Sequence, residues 1–218
     1  MAARGRSERS RRESKRQEKP LVLIVCEGET EHRYFSDIKN RFRARWMEVH
    51  NPHCNDPKGL VRSARRKQQE FAHKGLHVEA WVVFDAESRA KQDSRGYSEA
   101  IELANKKGLH TANSSPSFEY WILLHYSPGV LVDDPADAER ELGKSGRILG
   151  YQKPNLPLDE LWGIYLEGSP SKAARSRRDA LALDGESVRL GRPVTFVDEL
   201  VDRLAEIGKS SVIAKNQR

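Results

Sequence analysis

Two short apolar runs, each ending abruptly in carboxylates, constrain this chain more than any other feature. The first is Leu21-Val22-Leu23-Ile24-Val25-Cys26, followed at once by Glu27-Gly28-Glu29-Thr30-Glu31. The second runs from Val78 through Trp81-Val82-Val83-Phe84 and ends in Asp85-Ala86-Glu87. Such runs read as strands covered on both faces, as in the interior of a parallel sheet. Ligands of open α/β sheets gather at the carboxyl ends of these strands. Carboxylates are costly beside a core unless positive charge compensates them, so acids at both strand ends suggest a divalent cation. Extended geometry would project Asp85 and Glu87 to one side, and neighbouring parallel strands lie ~4.8 Å apart. The two strand ends can therefore share hard cations such as Mg²⁺, which prefer oxygen ligands. The alternatives are that Glu29 and Glu31 complement a helix dipole, and that Asp85 and Glu87 sit in a solvated turn.

The rest of the chain alternates in a way that supports this reading. Residues 29–47 are expected to be helical, with Tyr34, Phe35, Ile38 and Phe42 on one face. Residues 51–57 form a loop, and 58–73 a second helix with Leu60, Val61, Ala64 and Phe71 inward and Arg62, Arg65, Arg66 and Lys67 outward. A helix over 97–107 closes at Gly108, a short strand over 109–113 follows, and an apolar helix over 117–126 has Ser115 as its expected cap. That order predicts an α/β fold, a mostly parallel sheet flanked by helices. Helical pieces at 135–144, 158–166 and 170–182, then a closing helix over 194–207, predict a helical C-terminal elaboration.

Charge is distributed unevenly. Of the net +6, residues 1–19 carry +5, from eight Arg or Lys against three Glu, which leaves the remainder near neutral. This basic arm reads as disordered and able to contact phosphates, or as a solubilising tail. Residues 20–207 are expected to form the folded domain and 208–218 a flexible tail. Further basic positions, Lys172, Arg175, Arg177 and Arg178, cluster on a predicted helix that either follows a nucleic-acid backbone or is a solvated face. No apolar run approaches the ~20 residues of a membrane span. With no apolar stretch after the basic start and only Cys26 and Cys54, reduced thiols and a cytoplasmic location are expected.

A third acidic element lies in Ser114-Ser115-Pro116-Ser117-Phe118-Glu119-Tyr120-Trp121, where Glu119 is the lone acid of an apolar helix. It either caps free N–H groups or completes the ion site. His125, six positions on, lies ~120° round the helix and reads as a core histidine. His50, His53 and Cys54 lack a second ligand pair for zinc, and no Walker lysine follows a glycine-rich loop. Trp46, Trp81, Trp121 and Trp162 read as packing residues.

Four blocks in order, "IVCEGETEHRYF", "VVFDAE", "SSPSFEYWILLHY" and "YQK" (Tyr151, Gln152, Lys153), resemble the RloB-like family over residues 20–207. That family comprises bacterial and archaeal proteins with a Toprim-like domain, related to OLD-type Toprim nucleases and found near restriction and phage-defence loci. The resemblance implies metal-dependent phosphodiester chemistry with Mg²⁺ or Mn²⁺. It assigns Glu27 to the Toprim glutamate, Glu31 to the acid that follows it, Asp85 and Glu87 to the "DxD" pair, and Glu119 to the "PxFE" block. Glu as the second acid of the pair lengthens that arm, and Ser115 stands where the family usually has Asn. Lys153 matches a basic residue suited to contact the scissile phosphate. The implied partners are nucleic acid, as RNA such as tRNA or as DNA, and a defence-system protein; a homo-oligomer is compatible. Arg62, Arg65, Arg66, Lys172, Arg175 and Arg178 are the candidate nucleic-acid contacts. The competing readings are a non-catalytic nucleic-acid-binding adaptor with a degraded site and, more remotely, a phosphatase, for which the required second Asp and Thr are missing.

Overall fold

A computed structural model of the chain describes residues 20–54, 56–86, 94–181 and 192–216. The basic arm at 1–19 and Glu87 lie outside the described residues. The central sheet is parallel and ordered β2-β1-β3-β4, with β1 at Leu21–Cys26, β2 at Met47–His50, β3 at Val78–Val83 and β4 at His110–Thr111. The parallel α/β expectation therefore holds. Alternation along each strand divides the core in two. Val22, Ile24, Cys26, Trp81 and Val83 face one layer, and Leu23, Val25, Ala80, Val82 and Phe84 face the other.

Helix α1 (Glu29–Arg41) covers the first layer with Tyr34, Phe35 and Ile38. Helices α2 (Pro57–Ala72) and α3 (Ser94–Lys106) cover the second with Leu60, Val61, Ala64, Tyr97, Ala100 and Ala104. Asp56 starts α2 by accepting hydrogen bonds from the backbone N–H groups of Lys58 and Gly59 at 3.2 and 2.8 Å, a strong N-cap.

Chain direction switches at β1. The connection through α1 leads to β2 on one side, and the return through α2 leads to β3 on the other. Crevices at such switch points, at the carboxyl ends of the strands, are where open α/β sheets take ligands.

The remainder thickens the first layer. Helix α4 (Phe118–Tyr126) is buried on all sides, its Phe118, Tyr120, Trp121, Ile122, Leu123 and Leu124 almost fully inaccessible. Around it pack α5 (Pro135–Leu142), α6 (Leu158–Leu166), α7 (Ser169–Leu181) and α8 (Val197–Asn216).

Three expectations need correction. The first helix stops at Arg41 rather than running to 47, because Arg43 takes a left-handed backbone (φ 45°) and releases the chain into β2. Val194–Thr195 is not the start of the closing helix but a strand, β6, antiparallel to β5 at Ser114–Ser115. Thr195 Oγ1 then accepts the Val197 N–H at 3.2 Å, which delays α8 to Val197–Asn216. Ser115 does not cap α4; Ser117 occupies the N-cap position, without a side-chain cap bond.

Candidate active site

The acids of the two strand ends meet. Glu27 directly follows β1, and its N–H donates to Val83 O at 3.0 Å, extending the β1–β3 ladder by one residue. Its carboxylate turns across that gap, where Oε2 accepts the Asp85 N–H at 3.0 Å. Asp85 Oδ2 in turn accepts the Phe118 N–H at 3.0 Å, so the acid after β3 supplies the N-terminal bond of α4 that no serine supplies. Helix α4 thereby points its positive end into the switch-point crevice and carries Glu119 on its first turn, fully buried.

Glu119 is held from the far side of the cleft. Its Oε1 accepts a hydrogen bond from the Tyr151 hydroxyl at 3.1 Å, and its Oε2 lies 3.1 Å from Lys153 Nζ. Lys153 also pairs with Glu139 of α5 at 3.0 Å. Glu31, on the first turn of α1, is 4% exposed. Its carboxylate folds back over Gly28, where an added Cβ would stand 2.5 Å from Glu31 Oε2. Glu27, Glu31, Asp85, Glu119 and Lys153 line a cleft of about 750 Å³, with the start of α5 at Asp134–Pro135 as one wall.

Electrostatically the cleft is under-compensated. Burial, then the charges of Glu31, Glu119 and Glu27, push the Asp85 carboxyl well above its usual range, against the Phe118 N–H that lowers it. Burial also leads for Glu31; its own backbone N–H works against the shift, Glu119 and Glu27 add to it, and the net result is about 7. Lys153 shows the complement. Burial opposes its charge, but Glu119 and Glu139 outweigh burial and raise its pKa.

Three buried polar atoms facing this cleft find no hydrogen-bond partner: Asp85 Oδ1, Ser117 Oγ and Glu119 Oε2, the last despite its proximity to Lys153. Buried acceptors normally have partners. An all-oxygen set with unmet acceptors, in which the Asp85 and Glu31 carboxyls are pushed up, fits a hard divalent cation. Among the described residues, no three His, Cys, Asp or Glu side chains already stand close enough together to chelate one. Glu87, an expected ligand, lies outside the described residues.

The basic candidates divide. Arg178 is not an exposed contact: it forms a two-pronged pair with buried Asp198 at 2.6 and 2.8 Å and donates to Thr195 O at 2.6 Å. The correction follows from Asp198, an acid on α8 that needs a cation when buried. Arg175 pairs with Asp202 at 2.8 Å, and Lys172 is exposed. Arg62, Arg65 and Arg66 lie together on the outer side of α2, away from the acidic cleft.

His125 is buried, with Nδ1 3.0 Å from Trp121 O, and burial lowers its pKa to about 4, as a neutral core histidine requires. Trp81 and Trp121 are buried, and Trp46 and Trp162 pack against the core. Glu139, Asp134 and the cap made by Asp85 were not legible as site features in sequence. Tyr151 was visible only as part of the "YQK" block.

A family model described as RloB-like protein matches residues 22–204. No curated protein and no solved structure matches the chain.

Proposed function

This chain belongs to the RloB-like protein family, and we propose that its acidic cleft is the active site of a metal-dependent nuclease. The observation that carries the proposal is the junction at Asp85. One carboxylate oxygen ties β3 to α4, while the other is buried without a partner beside Glu119. Buried acceptors normally have partners, so an unpartnered carboxylate oxygen among other acids fits a place for a cation.

Asp85, Glu119, Glu27 and Glu31 are the residues that would hold Mg²⁺ or Mn²⁺, with Glu87 a further candidate from the sequence. Such an ion, when bound, polarises a phosphoryl oxygen and makes a water more acidic. The chain's own groups supply the rest. The Asp85 N–H fixes the Glu27 carboxylate across the strand gap, in the position of a ligand or general base. Glu31, pushed to about 7 in the ion-free cleft by burial and by Glu119 and Glu27, is a carboxylate whose charge a bound cation would compensate. Lys153, between Glu119 and Glu139, offers an ammonium to the non-bridging oxygens of a phosphodiester.

The substrate class in this reading is nucleic acid, RNA such as tRNA or DNA, and the setting is defence against phage, as the family resemblance implies. None of the helices in the described residues is long and apolar enough to cross a membrane. The competing adaptor reading draws on Lys153, which already neutralises Glu119 in the absence of any ion.

The test is cleavage of labelled tRNA, single-stranded DNA and plasmid by the full chain with Mg²⁺ or Mn²⁺, beside Glu27→Ala and Asp85→Asn. The proposal expects cutting that disappears in both variants while their circular dichroism is unchanged. Metal-independent cutting, or cutting that survives both substitutions, overturns it.

A further inference from the structure

A second charged feature lies on the opposite layer of the molecule. Helix α2 carries Lys58, Arg62, Arg65, Arg66 and Lys67 against one acid, Glu70. Its apolar face is used up on the sheet through Leu60, Val61 and Ala64. Between its outer side and α3 runs a groove of about 480 Å³ lined by Arg62, Arg65, Arg66, Gln69, Lys106 and Lys107. The lining contains five cations, one amide, no carboxylate and no apolar side chain.

Neighbouring acids leave these charges largely in place. Arg62 reaches Asp56 only at 3.8 Å, Lys106 reaches Glu102 only at 3.8 Å, and both lysine and arginine remain well exposed. Arg65 spends one donor on Gln68, a neutral partner, at 2.7 Å. Like charges gathered in one groove repel one another, and the arrangement is favourable only toward an anion.

The layout selects the kind of anion. Arg62, Arg65, Arg66 and Gln69 recur at helical spacing and form a stripe spanning roughly 10 Å along α2. Lys106 and Lys107 form the facing wall. A stripe of separate cations suits successive phosphates on a strand better than one small ligand. A membrane site would need apolar side chains to insert, and the lining has none.

We propose that the α2–α3 groove is a docking path for the phosphate backbone of a nucleic-acid strand. Helix α2 leaves the carboxyl end of the sheet and returns toward its amino end, so Arg62 is the groove residue on the side of the acidic rim. A strand held there is led from Lys106 and Lys107 toward the end of the sheet that carries Glu27 and Asp85. Delivery to those acids rests on the nuclease reading; docking itself does not.

The experiment is fluorescence polarisation with a labelled single-stranded RNA and DNA, in EDTA, across a salt series. The full chain is compared with Arg62→Ala/Arg66→Ala/Lys107→Ala and with Arg62→Lys/Arg66→Lys. The triple variant is expected to bind at least tenfold more weakly at low salt. Its log–log salt slope should fall by about 2, from three lost contacts at ~0.7 each. The lysine variant should keep the slope.

Unchanged affinity and slope in the triple variant, as when the 1–19 arm alone binds, overturns the proposal. So does binding of phosphatidylserine vesicles without binding of either oligonucleotide. Groove-dependent binding without cleavage in Mg²⁺ would sink the nuclease reading and leave the groove standing. Cleavage indifferent to the triple substitution, with binding equally indifferent, does the reverse.

Discussion

Replacing Glu31 by glutamine should stabilise the ion-free protein, and the gain should depend on pH in a defined direction. Burial and the neighbouring carboxylates of Glu119 and Glu27 raise Glu31 from 4.5 to about 7. A carboxyl raised on folding is more readily protonated in the folded than in the unfolded chain. Its ionisation therefore subtracts stability as pH climbs from about 4.5 through 7 and leaves the full penalty in place above that. At 1.36 kcal/mol per pKa unit the penalty is ~3 kcal/mol at pH 8, or roughly 6–12 °C in Tm for a chain of this size. Glutamine keeps the shape and an acceptor oxygen for the Glu31 backbone N–H but cannot ionise. Thermal melts of parent and variant in EDTA at pH 4, 5, 6, 7 and 8 should nearly coincide at pH 4 and separate progressively, with the variant higher. Added Mg²⁺ should lift the parent at pH 8 by about 2.7 kcal/mol at a hundredfold excess over Kd, and lift the variant less. Melts that stay parallel across the pH range, or a variant below the parent at pH 8, would refute the argument that Glu31 is held ionised against its surroundings.

Two further outcomes are expected. Arg178→Ala strands Asp198, which is 1% exposed; removal of one partner of a buried pair costs about 3–5 kcal/mol, measurable as a lower urea midpoint, and an unchanged midpoint would show that the pair is not structural. Lys153→Met leaves Glu119 Oε2 without its nearby ammonium, so the ion-free stability should drop at pH 8 by on the order of 1 kcal/mol, given that Lys153 is 41% exposed, or roughly 2–4 °C in Tm, while the stabilisation by Mg²⁺ grows; a Tm and Mg²⁺ response identical to the parent would show that lysine and ion do not share a place.

The parts of this molecule that local pattern could reveal were those with a strong period. Strands β1 and β3 announced themselves as unbroken apolar runs, and α1 and α2 as stripes of Tyr34, Phe35, Ile38 and of Leu60, Val61, Ala64. Strand β2 was hidden because four residues with one buried side chain, Met47, carry almost no pattern. Strand β6 has only two residues and takes its identity from pairing with Ser114–Ser115, about eighty positions away. The same limit governed charge. Arg178 looked like a surface cation until Asp198 was folded onto it, whereas Arg62, Arg65 and Arg66 met no such acid. The convergence of acids at strand ends was legible because strand position fixes where they point; the partners of Glu119, Tyr151 and Lys153, depended on how a distant loop packs.

The divided duty of Asp85 has a practical consequence for interpreting variants. Alanine there takes away the bond that seats α4 together with the negative charge, so a silent protein would report lost architecture and lost chemistry at once. Asparagine retains an oxygen for the Phe118 N–H and removes only the charge. A relative carrying asparagine at this point would keep the α4 junction with one carboxylate fewer in the cleft, so its fold and its cleft charge could be told apart.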